Sequence, residues 1–181
     1  MPKPSLENDL YDIYVSPTPH TLSSIDDLTG YIHLLTQAAT TRLFSKQSGF
    51  LGLNLHVEKA VELFKRLHDL GIWGDVAPIK YRQPKITVQA AHRLAEKAIK
   101  NECALNFPNI TFRPVEFYFE RSMTYSFCAG SEELHQLGLW EPDAVFATVD
   151  KVDGHIWERF EYHNYIISIG LGKTFNYTSD A

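Results

Sequence analysis

The sequence predicts an α+β fold, with about four helices packed on one face of a mainly antiparallel sheet. Three observations carry that expectation. Apolar residues recur at three- and four-residue steps over 57–70 and again over 88–100, the spacing of amphipathic helices. From residue 110 onward the pattern changes to period two, rich in aromatic and β-branched side chains, as half-buried strands require. The third is a heptapeptide used twice, Leu67-His68-Asp69-Leu70-Gly71-Ile72-Trp73 and Leu134-His135-Gln136-Leu137-Gly138-Leu139-Trp140. In each copy a helix is expected to end, with glycine in the left-handed position and the aliphatic–Trp pair turning back over the last turn.

A chain of 181 residues, 44% hydrophobic and 13% aromatic, has the apolar material for a well-packed core. The expectation is one compact domain over 1–181, with the repeated phrase leaving room for a weak internal duplication of 50–85 and 115–150. Cys103 and Cys128 are too few for a disulfide framework or a Cys-rich zinc site. No run approaches the roughly 18 apolar residues that span a bilayer. The first residues lack the apolar run of a signal peptide, so a cytoplasmic setting without membrane attachment is expected.

Taken in order, 1–10 reads as a loose tail, Leu10–Val15 as a strand, and Ser16-Pro17-Thr18-Pro19 as its break. Ile25, Leu28, Ile32, Leu35, Ala39 and Leu43 mark a helix that Gly30 weakens and Gly49 ends. Phe50–Leu55 reads as a short buried strand and Val57–Leu70 as the clearest helix of the first half. Val76–Tyr81 is expected as a strand, moved towards an edge by Pro78. Thr87 caps a helix over Val88–Lys100 with an inner stripe of Ala91, Leu94, Ala95 and Ala98, and Asn101–Pro108 is a connection.

Val115–Glu120 and Met123–Cys128 are expected to form a hairpin through Glu120-Arg121-Ser122, with one long bent strand as the alternative, and Val115, Phe117 and Phe119 are expected on one face. Ser131 caps a short helix leading into the second heptapeptide, Ala144–Val149 is a strand, and Asp153-Gly154 is a turn. His155–His163 has no clear period. Tyr165–Ile169 is expected as a final buried strand.

Charge is unevenly placed. The net charge is -5, and residues 131–163 hold eight acids against only Lys151 and Arg159. Residues 80–100 hold Lys80, Arg82, Lys85, Arg93, Lys97 and Lys100 against Glu96. The basic helix lacks interleaved stacking aromatics and the whole chain is acidic, which disfavours nucleic acid as a partner.

Each candidate for chemistry has an ordinary structural counterpart. Gly170-Leu171-Gly172-Lys173-Thr174 ends like a phosphate loop, but Ile167 stands where the first glycine belongs, and the reading is rejected. Asp150, Asp153, His155, Glu158 and His163 have ligand-type side chains, yet their spacing matches no assignable metal motif, and a solvated acidic turn accounts for them. Cys128 and His135 could pair as nucleophile and base, although Cys128 also ends an alternating strand, where a small apolar residue is ordinary.

No catalytic set, metal site or cofactor is therefore assigned. The expected function is a non-enzymatic binding protein whose acidic surface over 131–163 holds a basic protein partner, as an immunity-type toxin inhibitor would. The residues expected to bind are Trp140, Glu141, Asp143, Asp150, Asp153 and Glu158. The alternative is a small hydrolase or transferase built on Cys128/His135 or on the Asp150–His163 cluster. Oligomeric state is left open.

Overall fold

The computed structural model describes residues 9–16, 22, 24–45, 47–138 and 144–175. Most of the expected N-terminal tail, the proline break at 17–19, and Leu139, Trp140, Glu141 and Asp143 lie outside the described residues. The fold is α+β. Among the described residues there are five α-helices, and the strands pair antiparallel in two sheets rather than one. Residues divide into two compact units, Met1–Arg82 with Glu161–Ala181, and Gln83–Phe160.

The first unit has a three-stranded sheet with β1 (Tyr11–Val15) between β2 (Gly49–Phe50) and β3 (Gly74–Pro78). Pro78 pairs with Tyr11 at the end of the edge strand β3, where a missing N–H costs nothing to the ladder. Beyond it the chain turns into a 3-10 helix over Ile79–Arg82, so the expected strand stops early. The expected helix over 25–43 is broken into 3-10 turns at Ile25–Leu28 and Ile32–Leu34, followed by α1 (Gln37–Leu43). Gly30, at φ 92°, sits between the turns, and the Thr36 side chain caps α1 through the Ala39 N–H.

Helix α2 (Val57–Asp69) buries Ala60, Val61, Leu63, Phe64 and Leu67, the stripe that its period requires. It ends in a Schellman arrangement: Ile72 N–H donates to Leu67 O at 3.0 Å and Gly71 N–H to His68 O at 2.9 Å. Ile72 is buried there. Trp73 is 66% exposed, so the expected aliphatic–Trp cover is provided by Ile72 alone.

The chain's last described element is α5 (Glu161–Ser168), where a strand over Tyr165–Ile169 was expected. Tyr162, Tyr165, Ile166 and Ile169 all pack on the first unit's core, and their three- and four-residue spacing is helical. A window confined to 165–169 hides that period behind consecutive apolar residues.

The second unit is a four-stranded antiparallel sheet in sequence order, β4 (Glu116–Glu120), β5 (Thr124–Ala129), β6 (Val145–Asp150) and β7 (Ile156–Trp157). Helix α3 (Val88–Asn106) covers one face, packing Ala91, Ala95 and Ile99 on Tyr125, Phe127, Ala129, Val145, Ala147 and Val149. It runs through the segment expected as a connection, and Ile99 rather than Leu94 completes its inner stripe; Leu94 is exposed. The short helix α4 (Glu132–Gln136) follows Ser131, whose side chain caps it. Two hydrophobic cores result, one in each unit.

Candidate functional site

Strand β4 reads Glu-Phe-Tyr-Phe-Glu, a composition that favours a pleated surface. Among the described residues it pairs only with β5, so its other side carries backbone N–H and C=O groups without a strand neighbour. Its register with β5 shifts between Phe117 and Phe119: Phe117 stands opposite Phe127, whereas Phe119 stands opposite Ser126. One extra residue in a strand reverses the alternation beyond it. Phe117 consequently shares the α3 face with Phe127, and Phe119 lies on the opposite face, correcting the expectation that 115, 117 and 119 stand together.

On the α3 face the rings form a chain. Phe117 meets Phe127 edge-to-face at 5.7 Å, and Phe127 meets the His92 ring at 5.4 Å. His92 Nε2 lies 2.8 Å from the Val115 carbonyl, which only accepts, so that nitrogen carries the proton. Between the start of α3 and β4 lies a cavity of about 450 Å³, lined by Val88, Gln89, His92, Arg93, Phe117 and Phe127.

On the opposite face Tyr118 meets Phe146 of β6 at 5.3 Å and Phe119 at 5.1 Å, and the Arg121 guanidinium lies 5.2 Å from the Phe119 ring. Phe117, Tyr118 and Phe146 are 49%, 58% and 53% exposed. Large aromatic side chains concentrated at this exposure mark surfaces that bind.

The strand is held in place from behind. Lys151, at the end of β6, is buried, and its ammonium donates to Glu120 Oε1 at 2.6 Å and to Arg121 O at 2.5 Å while lying 4.8 Å from the Tyr125 ring. Its own N–H donates to Met123 O, and its carbonyl accepts from the N–H groups of Lys85 and Ile86, all at 2.9 Å. One lysine thus ties the β4–β5 turn and the entry to α3 to β6. At the other end of β4, the Glu116 side chain is 66% exposed and its carboxylate makes a long ion pair with Arg113 at 3.9 Å.

The expected partner-binding residues are placed unevenly. Asp150 is buried, and its carboxylate accepts from the N–H groups of Val152 and Asp153 at 2.7 and 3.2 Å and from Trp157 Nε1 at 3.1 Å. It organises the β6–β7 turn, as aspartates in such turns do. Asp153 and Glu158 are exposed. Asp150, Asp153, His155 and Glu158 belong to the second unit and His163 to the first. Among the described residues no three His, Cys, Asp or Glu side chains are grouped to hold a metal ion.

Cys128 lies in β5 between Glu116 and Phe146, half-buried, and His135 is exposed in the last turn of α4. His68, its counterpart in the first heptapeptide, instead packs against Phe64 and Phe175. A second, open cavity of about 650 Å³ in the first unit is bordered by His56, Glu58, Glu62, Lys65 and Ser168. Neither cavity is lined by Cys128, by His135 or by a member of the Asp150 turn.

The aromatic edge was missed by reading alternation alone. The signal that exposes it is three consecutive aromatics between acids, since a strand with one buried face has no inward place for all three. Among the described residues, no helix is long and apolar enough to cross a membrane. Comparisons with protein-family models, with curated proteins and with solved structures gave no match to this chain.

Proposed function

We propose that the protein is a non-enzymatic binding protein whose second unit holds a basic protein partner. The observation that carries this reading is a set of half-exposed aromatics on an edge strand and its sheet, Phe117 on the α3 face and Tyr118 with Phe146 on the opposite one. Glu116 stands exposed at the start of the strand, and Asp153 and Glu158 are exposed in the same unit. Between residues 83 and 160 the chain has eleven Asp and Glu against eight Lys and Arg. Aromatic anchors supply affinity, and a net excess of acidic charge steers a basic partner and speeds encounter. Inhibition of a basic toxin or nuclease is one form that such a role takes.

Tyr118→Ser combined with Phe146→Ser tests it, because both side chains are largely outside the core. The double variant is expected to keep its melting temperature while losing the host proteins, basic ones foremost, that co-purify with the unchanged protein. Identical recovery by both proteins would refute the reading. Asp153→Asn with Glu158→Gln is expected to slow association with the captured partner and to flatten its salt dependence, measured by stopped flow.

A further inference from the structure

We infer that the partner enters as an added strand along β4, placing an aromatic side chain in the cavity beside α3 and a cationic one beside Glu116. This rests on the binding reading above and gives the partner segment a chemistry. Three features point to it. The outer side of β4 has no strand neighbour among the described residues, and the bulge after Phe117 is its one edge-blunting device, since its sequence has neither lysine nor proline. The cavity is lined by Phe117 of that strand and by the first turns of α3, on the face that Phe117 shares with Phe127. Residues paired across strands project to the same face, so the residue opposite Phe117 is directed into the cavity.

There it meets the rings of Phe117, Phe127 and His92, already arranged edge-to-face, with Arg93 at the border. A further aromatic ring extends that arrangement, and a guanidinium favours its face. The next residue of the added strand projects to the opposite face, as Glu116 does opposite Cys128. A cation there is complementary to this exposed carboxylate. Backbone pairing supplies affinity and the side-chain pocket supplies selectivity, the division of labour in strand addition. The recognised segment is therefore extended, with an aromatic residue directly beside Lys or Arg.

The probe is a blocked heptapeptide, Thr-Val-Lys-Phe-Lys-Val-Thr, which offers lysine to Glu116 in either strand direction. In the full-length protein, saturating peptide is expected to slow amide hydrogen exchange across Glu116–Glu120. Replacing the peptide's Phe by Ala is expected to weaken binding about tenfold, the scale of an aromatic anchor. Glu116→Lys is expected to weaken the Lys-Phe-Lys peptide by about three- to tenfold and to favour a Glu-Phe-Glu counterpart. Val88→Trp, at an exposed lining position, is expected to fill the cavity and to remove the preference for Phe over Ala.

Unchanged exchange at β4 with millimolar peptide would overturn the inference, as would equal affinity for the Phe and Ala peptides. Slowing that grows with protein concentration and without peptide would also overturn it, assigning the edge to a second copy of the chain. If the peptide has no effect at β4 while Tyr118→Ser with Phe146→Ser still strips the captured partner, strand addition falls and the binding reading stands. If that double variant also changes nothing, both fall.

Discussion

Asp12 stands in the central strand β1 with no solvent exposure, and its carboxylate accepts from Ile13 N–H, Leu53 N–H, Gly52 N–H and Arg82 Nε at 2.7 to 2.9 Å. Arg82 continues to Asn54 Oδ1 at 2.9 Å and to Leu53 O. Desolvating a carboxylate is tolerable only with this many donors, and removing it takes the acceptor from three amides and from Arg82 Nε. Asp12→Ala is expected to cost about 3 kcal/mol or more in chemical denaturation. Tyr165, half-buried against the first unit's core, donates to Val76 O at 2.8 Å. Burial, then the neighbouring Tyr11 and Asp75, push its phenol well above its ordinary range. A folded-state value above the unfolded one means that the native protein retains the proton longer, so stability is complete below about pH 10 and falls as pH rises beyond it. Tyr165→Phe is expected to lose about 1 kcal/mol at pH 7 and to have a flatter alkaline limb, as read by denaturation between neutral and strongly alkaline pH.

Glycines separate two physical causes at the level of the element. Gly71 ends α2 at φ 82°, a conformation that costs a residue with a Cβ about 1 kcal/mol, and Gly71→Ala is expected to lower stability by that amount. Gly74 lies in β3, where a Cβ would come within 1.9 Å of the Tyr14 carbonyl oxygen. That atom is backbone in the paired strand β1 and has no room to move, so Gly74→Ala is expected to be the more damaging by several-fold in unfolding free energy. The stop after α2 was legible in Leu-Gly-Ile, because a Schellman ending is a local motif. The steric demand at Gly74 was not, since the atom it avoids lies about sixty residues earlier in the chain. The bulge in β4 belongs with the second kind. Alternation is a correct rule for strands, but the register shift at Tyr118 is set by pairing with β5, and it sends Phe119 to the face opposite Phe117.

Among the described residues the buried apolar side chains sort into two cores, and one of them lies wholly between Gln83 and Phe160. A segment with its own core and a complete four-stranded sheet is expected to fold when expressed alone as residues 83–160. Cooperative thermal unfolding with a near-ultraviolet aromatic signal would bear this out, and a gradual, signal-free melt would count against it. The acidic stretch divides at the same scale: Glu158 falls in the second unit and Glu161 in the first, while Asp150 is withdrawn into a turn. A run of charge in sequence is not yet a patch in space.

By itself the sequence determined the fold class, the helix at 57–69, the helix from Val88 to Lys100 though not its continuation to Asn106, and the hairpin through Glu120, because these follow from periods and caps written in neighbouring residues. Only tertiary structure decided that the strands form two sheets, that Asp150 is consumed by its own turn, and that Phe117 and Phe119 stand on opposite faces of β4. Each of those depends on which distant strand pairs with which, and in which register. That choice is made by packing across the whole unit and leaves no local period to read.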